Sequence, residues 1–200
     1  MKRINISEDT NFIGSWNIND DNLCNNIIKI FEENTILHQK GGTSQGIDEK
    51  VKKSTDIGID PVDLNRKEFN DIKVYLNKLY DCYQDYKTQW PFLNKSLEVV
   101  DIPTFNIQKY EIGGHFARMH CEREGVPSMH RVFAWMTYLN DVEDGGVTNF
   151  SHYKIDVKPE IGKTVIWPSE WTHAHSGGIV KSGTKYIITG WMHFPFDEEN

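Results

Sequence analysis

Residues 131–140, RVFAWMTYLN, form a ten-residue run that is almost wholly apolar. A strand of this kind has no face to offer to water, so it must lie in the middle of a sheet covered on both sides. Its neighbours point the same way. From about residue 97 short β-rich runs follow one another: FNIQKYEI, KTVIW, WTHAH and KYIITGWMHF. Turn signals separate them at Gly113-Gly114, Asp144-Gly145-Gly146, Lys158-Pro159 and Gly177-Gly178. The first part of the chain has a different period. Residues 20–34 place Leu23, Ile27, Ile30 and Phe31 at helical spacing, with Asn19 or Asp20 available as the cap. Residues 63–87 repeat the pattern with Phe69, Ile72, Leu76, Leu79, Tyr80 and Tyr83, and Pro91 closes the segment. Between the helices lies a polar, glycine-rich stretch, residues 38–60, predicted to be a mobile loop with one short strand.

Helices followed by a run of strands predict an α+β architecture with the helices on one side of antiparallel sheets. Residues 1–96 read as a helical support region and 97–200 as the β-core, together one domain. The net charge of −7 argues against nucleic acid as an obligatory partner, because phosphate binding calls for a basic surface. The three cysteines, Cys24, Cys82 and Cys121, are far apart and lack CxxC spacing. They fit a reducing compartment rather than a disulfide framework. Neither a signal-peptide pattern nor a run of about 20 apolar residues is visible, so the expectation is a cytoplasmic protein without a membrane span.

Seven of the eight histidines fall between His115 and His193, within the β-rich part. Two clusters carry chemistry, His120-Cys121-Glu122 and His173-Ala174-His175. On a strand, residues two apart share a face, so His120 and Glu122 can reach one point while Cys121 turns away. A histidine from a second strand would complete a two-histidine, one-carboxylate face with open coordination positions, an arrangement suited to non-haem iron(II). Periodicity alone does not choose between His173 and His175. No role is assigned to His115, His130, His152 or His193.

Four passages extend this pattern. Tyr110-Glu-Ile-Gly-Gly begins ten residues before His120. Tyr138-Leu139-Asn140 is followed by Gly145-Gly146-Val-Thr148-Asn-Phe150. Lys185 stands ten residues after His175, in Gly183-Thr184-Lys185, and Trp191 follows six residues later. Together they resemble the prolyl 4-hydroxylase branch of the iron(II)/2-oxoglutarate dioxygenases, over about residues 106–194. The resemblance implies a double-stranded β-helix, or jelly roll, with the N-terminal helices on its larger sheet. It implies metal ligands His120, Glu122 and His175, the last chosen because the family spaces its distal histidine ten residues from the basic residue. It implies that Lys185 grips the distal carboxylate of 2-oxoglutarate, with Tyr110, Tyr138 and Thr148 as further co-substrate contacts. Trp191, Arg118 and Trp171 are candidates for substrate contact, and Trp167 for the cavity mouth. The cofactors implied are iron(II), 2-oxoglutarate and oxygen, with ascorbate as an accessory reductant. The substrate implied is a prolyl residue in a peptide or protein, with succinate and carbon dioxide as co-products. Two departures stand out: Glu122 where the family has aspartate, and Ile179 where it has proline. The alternatives are a related oxygenase acting on another side chain, a free amino acid or a nucleobase, and a cupin-like binding module without catalysis.

Overall fold

The computed structural model describes residues 1–7 and 10–195. Thirteen strands and three α-helices run in the order β1 (Lys2–Arg3), β2 (Gly14–Asn17), α1 (Asp21–Glu33), β3 (Gln39–Lys40), β4 (Lys52–Lys53), β5 (Thr55–Ile59), α2 (Asn70–Gln89), α3 (Leu93–Ser96), β6 (Phe105–Tyr110), β7 (His115–His120), β8 (Arg131–Tyr138), β9 (Thr148–Phe150), β10 (Ile155–Val157), β11 (Lys163–Pro168), β12 (His175–Gly177) and β13 (Lys185–His193) among the described residues. They form an eight-stranded sheet, β1-β2-β11-β8-β13-β6-β5-β3, and a five-stranded sheet, β10-β9-β12-β7-β4. All named pairings are antiparallel. This is the expected double-stranded β-helix, buttressed by helices on the larger sheet.

Strand β8 lies inside the larger sheet between β11 and β13, and both its faces are covered. Phe133, Trp135 and Leu139 pack toward the helices with Phe31, Tyr75 and Tyr83. Ala134, Met136 and Tyr138 pack between the sheets with Phe150, Val165 and Trp167. The two-residue period of a strand thus divides one apolar run between two cores. Thr137, fully buried on the helix side, is satisfied by hydroxyl contacts to Tyr75 (2.7 Å) and Thr164 (2.6 Å).

The helices follow their stripes, with differences. α1 buries Leu23, Cys24, Ile27, Ile30 and Phe31. Asp20 caps it by accepting the Leu23 N–H at 3.1 Å. α2 starts at Asn70 rather than 63, because residues 61–65 and 67–69 form two short 3-10 turns, the first entered through Pro61. It ends at Gln89, one residue before the residue that Pro91 bars from helical geometry. Its buried face includes Tyr75, Cys82 and Tyr86, whereas Tyr80 is 59% exposed. Residues 38–60 also differ from expectation. They supply three strands, not one: β5 pairs with β6 over five residues, and β4 pairs with β7. The run 171–175 is not a single strand, since Trp171–His173 is a 3-10 turn and β12 begins only at His175.

Gly190, on β13, shows how closely the helix-side core is filled. A Cβ there would lie 2.6 Å from Phe105 Cβ and 2.7 Å from Trp135 Cζ2. Overpacking of this kind costs about 1–3 kcal/mol. Gly190→Ala should lower the unfolding free energy in urea by that amount, and an unchanged midpoint would show that the Trp135 ring yields freely.

Candidate metal centre

The register of the smaller sheet sets the site. β12 pairs with β7 so that His175 stands directly opposite His120. Their rings lie 4.4 Å apart, centroid to centroid. Glu122 follows β7 by two residues and turns the same way: its Oε1 lies 3.3 Å from His175 Nε2 and 3.7 Å from His120 Nε2. One ligand atom from each residue falls within 4.8 Å of the others, a spacing that one ion can bridge.

Hydrogen bonds fix which nitrogens face that point. His120 Nδ1 lies 2.9 Å from the Arg118 carbonyl and His175 Nδ1 lies 3.0 Å from the His173 carbonyl. A carbonyl only accepts, so each Nδ1 carries the proton and donates. With neutral rings, both Nε2 atoms then present lone pairs toward a carboxylate oxygen. Three electron-pair donors aimed at one point require a cation among them, either a metal ion or a proton. With protons in that role the Glu122 carboxyl sits at about 2. Burial alone would raise it, but the His175 bond and charge, the His120 charge and the Trp191 bond outweigh burial. Burial, then the neighbouring His175, lowers the pKa of His120 and favours the neutral ring that a metal needs.

The centre opens into a cavity of about 910 Å³ between the sheets. Lys185 is also in its wall, and is 3% exposed. Its ammonium donates to the Gly146 carbonyl at 3.0 Å and lies 4.4 Å from the Tyr110 ring centroid. Among the described residues no carboxylate forms an ion pair with it, and burial pushes its pKa down to about 8. The bend that brings the Gly146 carbonyl there uses left-handed backbone at Gly145 and Gly146, φ 81° and 66°. A Cβ at Gly145 would lie 2.1 Å from the Ile179 carbonyl oxygen, so no other residue fits that turn. A buried cation of this sort is stable in company with an anion, and the carboxylate of a small diacid is such a partner.

The other candidates divide. Tyr110 and Thr148 line the cavity. The Tyr110 hydroxyl donates to Gln108 Oε1 at 2.7 Å. Tyr138 is not in the cavity wall; its hydroxyl is shared with Thr148 Oγ1 (2.7 Å) and the Val157 carbonyl (3.0 Å), so it supports Thr148 from behind. Trp191, Trp167 and Arg118 line the cavity, and Arg118 is held by Glu124 at 2.8 Å. Trp171 does not: it is 68% exposed and its ring meets His152 instead. His173 sits in the 3-10 turn, its Nε2 2.8 Å from the Asn11 carbonyl, which removes it from the choice of ligand. Three contributors were missed at the level of sequence. Gln108 lies two residues before Tyr110 on the same strand face, a period-two signal that could have found it. Lys52 and Asp56 form a buried ion pair at 2.6 Å in the cavity wall, and Gln108 Nε2 donates to the same Asp56 oxygen at 3.3 Å.

Comparison with known proteins agrees with this geometry. Residues 105–193 match the family model of the 2OG-Fe(II) oxygenase superfamily. A probable prolyl 4-hydroxylase 9 of Arabidopsis thaliana is 29% identical over 122 residues, 48% of this chain and 42% of that protein. The human prolyl 4-hydroxylase subunit alpha-1 is 24% identical over 112 residues, 48% of this chain and 21% of that subunit. The chain therefore spans less than half the length of these curated relatives. Among solved structures, a Pseudomonas putida prolyl-4-hydroxylase superposes with a TM-score of 0.71 at 18% identity, covering 92% of this chain and 94% of that one. A Trichoplax adhaerens prolyl hydroxylase, solved with a hypoxia inducible factor peptide fragment, also gives 0.71, at 14% identity, covering 92% and 84%. The matched segment holds the paired histidines, the glutamate and the buried lysine, and over that segment the chain is similar to the 2OG-Fe(II) oxygenase superfamily and to the prolyl 4-hydroxylases within it.

Proposed function

We propose that the chain is an iron(II)- and 2-oxoglutarate-dependent dioxygenase that hydroxylates a prolyl residue in a peptide or protein. The observation that carries this reading is one cavity with two built ends: three converging ligand atoms, and an ammonium with no carboxylate partner among the described residues. His120, Glu122 and His175 would hold the metal, and Lys185 the distal carboxylate of the co-substrate. Iron(II), when held there, supplies the redox chemistry that couples oxidative decarboxylation of the keto acid to oxygen insertion into a C–H bond. The protein's share is orientation and exclusion of water. The hydrogen bonds at each Nδ1 keep the imidazoles aimed, and the buried walls around Lys185 make its charge act in a medium of low polarity. Tyr110 would serve through its ring beneath the ammonium and through its hydroxyl, and Thr148 through its hydroxyl, braced by Tyr138. The cavity wall includes residues of the 37–45 segment and Arg118, and its volume of about 910 Å³ would leave room for a chain that continues past the reacting residue. The prolyl assignment rests on the relatives' names. Ascorbate would act as a reductant for iron oxidised without substrate. The free cysteines are in keeping with a reducing compartment.

The test is succinate release from 2-oxoglutarate with iron(II), followed by mass analysis of a panel of peptides with and without proline. Release stimulated by proline-containing peptides, with a gain of one oxygen atom on proline, is the expected result. A gain of oxygen on another residue would move the chain to a different side-chain hydroxylase. Folded, metal-loaded protein without turnover on any peptide would favour a binding module.

A further inference from the structure

Glu122 occupies a position where one methylene more than aspartate must be accommodated. A glutamate has three side-chain torsions, and a free one can turn either or both oxygens toward a metal. Here one oxygen is already engaged. Trp191 Nε1 donates to Glu122 Oε2 at 2.6 Å, while Oε1 faces the two imidazoles. The indole is itself held. The Arg131 guanidinium lies over its ring, 3.7 Å from the centroid, and Arg131 Nη1 donates to the Glu122 backbone carbonyl at 3.0 Å. The Arg131 carbonyl in turn accepts two bonds from Arg123, from Nε at 2.9 Å and Nη2 at 2.5 Å. Arg131 thus touches the glutamate at its backbone, places Nη1 4.0 Å from Oε2, and also reaches the side chain through the indole.

We propose that Trp191 and Arg131 are positioning residues that adapt this centre to a glutamate, holding Glu122 to one-oxygen ligation. This rests on the metal reading above. Its chemical consequence is the number of free positions. A six-coordinate ion with three protein ligands keeps three sites for a chelating keto acid and oxygen; a carboxylate binding through both oxygens would occupy one of them. An indole N–H on Oε2 prevents that at the cost of one buried hydrogen bond. Outer partners of metal ligands commonly contribute about 10–100-fold to metal affinity. An aspartate at position 122 is too short to meet both the indole and the imidazoles, so the clamp should matter only when residue 122 is glutamate.

Manganese(II), an air-stable stand-in for iron(II), provides the probe, titrated calorimetrically into the full chain without co-substrate. Trp191→Phe keeps most of the ring that Arg131 covers and removes the N–H. It should weaken manganese binding about 10–100-fold in the wild-type background. In a Glu122→Asp background the same change should alter affinity by no more than about threefold, so the two substitutions are non-additive. Equal affinity of Trp191→Phe and wild type would overturn the clamp while leaving the metal site intact. Equal weakening in both backgrounds would also overturn it, because the tryptophan would then act only as packing. Failure of the wild type itself to bind manganese, with His175→Ala no different, would overturn the metal reading and the clamp with it. A second measurement needs no substitution at Trp191. Among the indole N–H signals of the six tryptophans in a ¹H–¹⁵N spectrum, one should move when Glu122→Asp is introduced, and no movement would overturn the contact.

Discussion

His175→Ala should reduce iron-dependent succinate release to background and remove the protein's thermal response to manganese(II). The substitution takes away one of three ligand atoms, and it does so at the position that faces His120 across the β7–β12 seam. Loss of a partner one shell further out already costs about 10–100-fold in metal affinity, so loss of a ligand should cost more than about 100-fold. The remaining pair, His120 and Glu122, stands 3.7 Å apart and cannot enclose an ion from the far side. The ring is also buried, 5.0 Å from Trp167 and 5.4 Å from Phe150 by centroid, so its truncation leaves a void expected to lower metal-free stability by about 2–4 kcal/mol. Thermal unfolding separates the two effects. Wild type should gain about 3 kcal/mol of stability at manganese concentrations near 100 times its Kd, and the variant should gain nothing at the same concentration. Undiminished succinate release by a variant verified by mass would sink the ligand assignment.

Lys185→Met should do two opposite things: weaken the co-substrate and strengthen the empty fold. Removing one member of a buried pair typically costs about 3–5 kcal/mol, so KM for 2-oxoglutarate should rise on the order of 1000-fold. In the absence of co-substrate the ammonium has only a carbonyl and a ring for company, and its pKa of about 8, against an ordinary 10.5, measures the cost of burial. Below pH 8 both folded and unfolded chains keep the proton and the whole penalty, about 3 kcal/mol, is felt. Between pH 8 and 10.5 the folded chain sheds the proton while the unfolded chain keeps it, so wild-type stability rises with pH over that window. The methionine variant lacks this group. At pH 7 it should be more stable than wild type by about 1–3 kcal/mol in urea, after the lost carbonyl bond is subtracted, and the gap should close as pH approaches 10. The same titration predicts that 2-oxoglutarate affinity of the wild type falls about tenfold per pH unit above 8. A variant with unchanged KM, or a gap that does not narrow with pH, would remove Lys185 from the co-substrate site.

What could be read from the chain before its structure follows a physical line. Patterns that repeat along one element were legible: the two-faced burial of residues 131–140, the Leu23–Phe31 stripe, and the His120–Glu122 spacing, because a strand or helix imposes its period on side chains directly. The choice of His175 needed the resemblance, since alternation placed His173 on the same face; the 3-10 turn that separates them carries no period for sequence to display. The 38–60 segment read as a loop because strands of two residues are too short to show alternation, and its long strand, β5, is broken by Gly58. Trp171 and Trp191 looked alike as tryptophans near the site. Only the register of β13 against β8, which sets Trp191 opposite Ala134 and over the glutamate, tells them apart. The Lys52–Asp56 pair is only four residues apart, but its members lie on strands of two different sheets, a crossing that neither strand nor helix periodicity displays.

The alternation along β13 has a use at the bench. Lys185, Ile187, Thr189 and Trp191 look into the cavity, while Ile188 and Met192 are spent on the helical buttress. A combinatorial library confined to positions 187 and 189 would therefore reshape what the cavity accepts while leaving the helix-side core untouched, and the even-numbered positions could be tuned separately for heat tolerance.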